Sequence, residues 1–177
     1  MKVDWYLLSL TGALLMLSLF TGCSTMTITP QLDTVDKPVV LITGPLQYDG
    51  NRLYLPRTIS EGDPSEYGLR FRYSTTETQG RSSWDIIALF NPLTILGFPT
   101  GRRDSTVGGN LEILKDLEVV KSYTASCQQE AHRGIYYGQS FSELRRTGLV
   151  AVRDNIEAQM SRDKYFLEKA ASKAFLQ

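Results

Sequence analysis

The sequence predicts an α+β domain, an antiparallel or mixed sheet with a C-terminal helix or helices packed on one face, on three observations. Leu69, Phe71 and Tyr73 alternate with Arg70, Arg72 and Ser74, the period of two that a half-buried strand requires. Farther on, Leu111 and Ile113 lead through Lys115-Asp116 into Leu117, Val119, Tyr123, Ala125 and Cys127 at odd positions, a second hairpin whose turn residues specify its register weakly. Leu144, Gly148, Val152, Ile156 and Met160 then step by four, an apolar helical stripe that a sheet has to cover. Strands first and helix last, joined by hairpins, give this class rather than an alternating α/β fold.

Taken in order, Ser24 to Asp36 is rich in Ser, Thr, Pro, Asp and Gln without sustained periodicity and reads as a tether. Pro38 to Thr43 is a β-branched run closed by Gly44-Pro45, the pattern of a central strand buried on both faces. Leu46-Gln47-Tyr48 and Leu53-Tyr54-Leu55 flank Asp49-Gly50-Asn51-Arg52, where Asp-Gly favours a tight hairpin turn and Pro56 limits the second arm. Residues 59–66 and 75–83 read as loops. Ile135-Tyr136-Tyr137, between Gly134 and Gly138, reads as a short strand.

Ser140 and Glu143 stand at capping-box spacing, so the helix is expected to begin there. Leu149 and Ala151 widen its stripe. Gly148, about 1 kcal/mol less favourable than Ala in a helix, implies close approach to another backbone. Helical spacing continues from Ser161 to Leu176, as one helix or two. Arg145, Arg146 and Arg153 lie off the stripe near Glu143, Asp154 and Glu157, a solvated face.

The first 22 residues have a different texture. Lys2 supplies a positive start, the run from Trp5 to Phe20 is almost wholly apolar, and Thr21-Gly22 precede Cys23, the layout of a cleaved export signal. An apolar run of this length falls short of the roughly 20 residues that span a bilayer. Leu19-Phe20-Thr21-Gly22-Cys23 resembles the lipobox of bacterial lipoproteins, with Phe20 where that motif usually has Leu. The resemblance implies that residues 1–22 are removed, that the Cys23 thiol receives a diacylglyceryl group and that its new amino terminus receives a third acyl chain. At about 0.8 kcal/mol per buried methylene, three chains exceed what stable anchoring needs. Ser24 stands where inner-membrane retention would call for Asp, which implies the periplasmic face of the outer membrane. The division expected is then a signal peptide over 1–22, a lipidated tether over 23–36 and a single α+β domain over 37–177.

Length after cleavage suits one domain of ordinary size. Formal net charge is +0, without the basic excess of a nucleic-acid binder. With Cys23 consumed by lipid, Cys127 has no intramolecular partner, and its place beside Tyr123 and Ala125 predicts burial.

No catalytic residue is assigned. His132 is the sole histidine, stands among Gln128, Gln129, Glu130 and Arg133, and reads as a solvated loop residue; no nucleophile elbow, phosphate loop or His-Glu-x-x-His stretch accompanies it. No metal or cofactor is expected beyond the covalent lipid on Cys23. The stretch Trp84 to Pro99 is apolar, interrupted by Asn91-Pro92 and Gly97, and followed by Gly101-Arg102-Arg103. It is either a core element or an interfacial one, and in the second case Trp84, Phe90, Phe98, Arg102 and Arg103 are the candidates for contact with a membrane or partner.

Beyond the signal, the body resembles the small α+β outer-membrane lipoproteins that serve as accessory parts of envelope transport and assembly machines. That resemblance implies a non-catalytic role with a protein partner or as a homo-oligomer. The rival expectation is a periplasmic module that encloses a small hydrophobic or lipid ligand.

Overall fold

The computed structural model describes residues 24–32, 41–48, 50–62, 66–80, 101–134 and 138–168. Seven strands are placed: β1 (Ser24–Thr29), β2 (Ile42–Gly44), β3 (Leu46–Gln47), β4 (Ile59–Glu61), β5 (Tyr67–Gly80), β6 (Gly101–Lys115) and β7 (Glu118–Arg133), followed by helix α1 (Phe141–Arg162). The main sheet is mixed, in the order β1-β7-β6-β5-β3, antiparallel except where β3 runs parallel to β5. Helix α1 packs on one face of it, so the fold is α+β as the patterning predicts.

The buried face follows the odd positions. Leu69 and Phe71 on β5, Val107, Leu111 and Ile113 on β6, and Tyr123, Ala125 and Cys127 on β7 turn inward. Against them lie Leu144, Gly148, Val152, Ile156 and Met160, every member of the predicted stripe, with Leu149 beside them. At roughly 25 cal/mol per Å² of apolar surface removed from water, this single layer is the main favourable term in folding. Gly148 does mark a close approach, but to side chains: a Cβ there would meet Val107 Cγ2 at 2.7 Å and Gln129 Nε2 at 3.0 Å.

The capping box forms as read. Ser140 Oγ accepts from the Glu143 backbone N–H at 3.2 Å, and the Glu143 carboxylate accepts from the Ser140 N–H at 2.7 Å. The helix breaks at Asp163 rather than at Ser161, and residues 164–168 resume it, burying Leu167.

Several expectations are corrected. Ser24–Thr29, expected within the tether, is edge strand β1, paired along its whole length with β7 and turning Met26 and Ile28 to the helix side. Thr25, Thr27 and Thr29, of high β-propensity, alternate with Met26 and Ile28, a period of two too short to stand out from the polar stretch around it. The run ending at Thr43 supplies no central strand: β2 pairs parallel with β4 in a separate two-stranded sheet, because Pro45 breaks the run and carries the chain to the far edge of the main sheet. The β4 residues were expected to be loop, and Ile59 is buried there. In place of a hairpin around Asp49-Gly50, Asn51 caps a 3-10 turn over Arg52–Tyr54, its side chain accepting from the Leu53 N–H.

Residues 75–80, also expected to be loop, extend β5 because β6 pairs with them as far as Gly80↔Arg102. The second hairpin turns at Asp116-Leu117 rather than Lys115-Asp116, which leaves Leu117 exposed in the turn itself, and a register shift after Ile113 leaves Val119 exposed on β7. His132 lies on β7, not in a loop. Ile135-Tyr136-Tyr137, residues 1–23, the boundary at 36/37 and the stretch Trp84 to Pro99 fall outside the described residues.

Candidate functional site

Among the predicted site residues, Arg102 and Arg103 are described; Cys23, Trp84, Phe90 and Phe98 are not. The two arginines are neighbours in sequence and therefore point to opposite faces of β6. Arg103 faces the helix. Its Nη1 donates to the Gln139 carbonyl at 2.6 Å and its guanidinium lies 5.0 Å from the Phe141 ring centroid, so it pins the start of α1 to the sheet. Its Nε is buried with no hydrogen-bond partner among the described residues.

Arg102 faces the other way. Its Nε lies 2.7 Å from Asp104 and its Nη1 3.0 Å from Glu130, and the bond to Asp104 is the main cause that raises its pKa above the ordinary arginine value. His132 Nε2 is 3.8 Å from the same Glu130 oxygen. The pair therefore does not act as one basic cluster; Arg103 is a structural clamp and Arg102 an outward group.

Register places these residues at one end of the sheet. Ser24 pairs with Ala131, Ala131 with Arg103, and Arg103 with Gln79. One residue farther out, His132, Arg102 and Gly80 stand side by side, and beyond them Arg133 pairs with Gly101. The residue bonded to Cys23 thus sits at the rim that carries Arg102, His132 and Arg133, and the two residues that flank segment 81–100, Gly80 and Gly101, are at that rim as well.

A second constellation has no sequence signal. Glu157, expected on the solvated face of the helix, is buried, and its carboxylate accepts from the Arg57 backbone N–H at 2.6 Å, Nε at 3.2 Å and Nη2 at 2.9 Å. Those hydrogen bonds raise the Arg57 pKa first, with the charge of Glu157 next. Arg153 bonds Asp154 at 2.8 Å and the Leu53 carbonyl at 3.1 Å, and Arg52 meets Glu61 at 2.6 Å. The three arginines line an open cleft of about 400 Å³ floored by Leu46, Leu55, Pro56 and Ile59. Three carboxylates, Glu61, Asp154 and Glu157, balance their charge there.

Cys127 is buried, as its strand position predicts; desolvation raises its pKa, opposed by a contact with Gln129 Nε2 at 3.5 Å. Among the described residues, no group of three His, Cys, Asp or Glu is placed to hold a metal, and no helix is long and apolar enough to cross a membrane. No protein-family model matches the chain, and no curated protein matches it.

Proposed function

We propose that the chain is a lipoprotein of the outer membrane, anchored on its periplasmic face through acyl groups on Cys23. It serves without catalysis as an accessory or structural component of an envelope transport, secretion or assembly complex. The observation that carries this reading is Leu19-Phe20-Thr21-Gly22-Cys23 at the end of an export-type signal, followed directly by a strand of the sheet. A folded edge that begins one residue after the acylated cysteine holds the domain close to the bilayer, where Trp84, Phe90 and Phe98 add contacts with the membrane or a partner. A formal net charge of +0 and a continuous apolar cluster joining sheet and helix among the described residues support the scaffold reading.

Labelled palmitate should be incorporated by the wild-type protein and lost in Cys23→Ala, and mass analysis of the mature chain should find a modified cysteine at its start. An unmodified sulfur at Cys23, or a product retaining residues 1–22, would overturn the reading.

The second reading, a binding module for a small hydrophobic or lipid ligand, draws support from the cleft floored by Leu46, Leu55, Pro56 and Ile59 and rimmed by arginines. It predicts a lipid that copurifies in stoichiometric amount and is lost when Leu55 is replaced by Asp; absence of any copurified lipid from the folded wild-type protein would sink it.

A further inference from the structure

We infer that β1 is a docking edge for a second copy of this chain: two β1 strands pair antiparallel about Thr27 and join two main sheets into one across a twofold axis. The inference names a partner for the proposed scaffold and does not rest on acylation of Cys23.

Three observations lead to it. The first is that β1 is an edge with nothing to guard it. One side of the strand is paired with β7 from Ser24 to Thr29, and among the described residues no strand pairs with the other. Its free backbone N–H and C=O groups are a template for another strand, and edges that stay single usually carry a charge, a proline or a bulge. Ser24–Thr29 has none of the three: it is uncharged throughout, and its register with β7 runs without a shift. The strand is also held in place, because Asn155 on α1 donates to the Pro30 carbonyl at 2.7 Å, just past its end.

The second is the fit of β1 to itself. With Thr27 opposite Thr27 of the other copy, Met26 faces Ile28 and Thr25 faces Thr29, so residues of one parity meet and each face of the sheet keeps its chemistry. Met26 is 53% exposed and Ile28 half-buried on the helix side, and the pairing covers each with the other, carrying the apolar layer across the seam. The opposite side becomes a row of facing threonines, a favourable cross-strand pair. No like charges oppose one another there. Gln128 stands behind Thr27 and Ser126 behind Thr29, and Glu130, behind Thr25, is already paired with Arg102.

The third is closure. Of the two edges of the main sheet, β3 is two residues long, Leu46–Gln47, and gives a like chain nothing to extend along. The long edge therefore meets its own copy, an isologous contact that stops at two chains instead of growing into a filament. Cys23 of the two copies falls at opposite ends of the seam, about 27 Å apart, and both acyl anchors can enter one leaflet with the seam lying along it.

The test is oxidative crosslinking of the mature protein in phosphatidylcholine vesicles. Cys127 is buried and an acylated Cys23 has no thiol, so the wild type is the blank. Thr27→Cys is expected to give a disulfide-linked dimer, because residues directly opposite lie within disulfide reach. Thr25→Cys and Thr29→Cys should each fail alone and crosslink when mixed. Thr27→Lys in both members of that mixture sets two ammonium groups face to face and should lower the yield at least about tenfold. Thr27→Ser should leave the yield unchanged, with circular dichroism showing both variants folded. A folded Thr27→Cys protein that forms no dimer overturns the pairing, as does equal crosslinking at 25, 27 and 29 singly, or a yield that withstands Thr27→Lys. In cells, a Thr27→Cys adduct with another polypeptide in place of the homodimer overturns the second copy as occupant. Wild type that crosslinks by itself reports a free thiol at Cys23; that overturns the acylation, and the pairing is then read from the same variants in a Cys23→Ser background.

Discussion

Glu157, 1% exposed on α1, binds both the backbone and the guanidinium of Arg57, a hundred residues earlier in the chain. The helix thereby fixes the segment between the two small strands of the minor sheet to the main domain. Removing one partner of a buried pair leaves an uncompensated charge, at a cost of about 3–5 kcal/mol where nothing else remains. Here the Arg57 N–H stays, the Arg57 side chain is itself 68% exposed and Arg153 Nε stands 4.0 Å from the same carboxylate, so Arg57→Ala should cost about 1–2 kcal/mol in urea unfolding. In a Glu157→Gln background, where no charge is stranded, the same substitution should cost less than about 1 kcal/mol. Equal costs in the two backgrounds would show that the pair does not act through the buried carboxylate.

The β6–β7 turn stores strain in the open. Asp116 and Leu117 have φ of 51° and 69°, and Leu117 is 90% exposed, so its side chain gives nothing back for an unfavourable backbone. A left-handed residue other than Gly costs about 1–2 kcal/mol, whereas Gly adopts the conformation freely and gives up part of the gain as chain entropy. Leu117→Gly should therefore stabilise the protein by about 0.5–1 kcal/mol, and Leu117→Val should destabilise it. Thermal melts of the two variants decide the matter; a loss of stability in the glycine variant would contradict the turn geometry.

Legibility in the sequence follows how one-sided each element's burial is. The alternation at Leu69, Phe71 and Tyr73 and the stripe from Leu144 to Met160 are plain because one face of each is buried. Residues 75–80 and 24–29 were hidden because their side chains are largely exposed and polar, and only the pairing partners β6 and β7 hold them extended. Asp49-Gly50 was misleading: Asn51 captures the Leu53 N–H and makes a 3-10 turn where a hairpin would need those donors for pairing. The placement of Arg102 on the outer face and Arg103 on the inner follows from strand parity only once β6 is seen to begin at Gly101, ahead of the Ser105 start that the apolar pattern suggests. The burial of Glu157 was not, since its partner Arg57 carries no local signal.

The capping box makes the helix start sensitive to acid. The Ser140 N–H, and then its hydroxyl, hold the Glu143 carboxyl below the usual carboxylate range. The folded chain therefore binds this proton less readily than the unfolded one. Its contribution is complete above the ordinary carboxylate pKa and fades as pH falls through the lowered folded value. Glu143→Ala should accordingly be less stable than wild type at neutral pH, with the gap narrowing from about pH 5 downward. A gap that stays constant to the acid limit would mean that the carboxylate is not bonded at the helix start.

Two glycines on facing elements look equivalent as spacers and should behave differently. A Cβ at Gly109 on β6 would fall 2.5 Å from Val152 Cγ1, 3.1 Å from Tyr73 Cε1 and 3.3 Å from Ile156 Cδ1, walled in by side chains from two elements. Overpacking of this kind costs about 1–3 kcal/mol, and a strand position offers no compensating helix propensity. At Gly148 the contacts with Val107 and Gln129 are also tight, but Ala in a helix recovers about 1 kcal/mol against Gly. Gly109→Ala should thus be the more destabilising substitution in chemical denaturation. Trimming the atom it strikes tests the cause: in a Val152→Ala background the shortest clash is gone and the contacts with Tyr73 and Ile156 remain tight, so Gly109→Ala should cost distinctly less than in the wild type. If the penalty persists unchanged there, the crowding at Gly109 is not set by Val152, and the close packing of α1 on β6 would need another explanation.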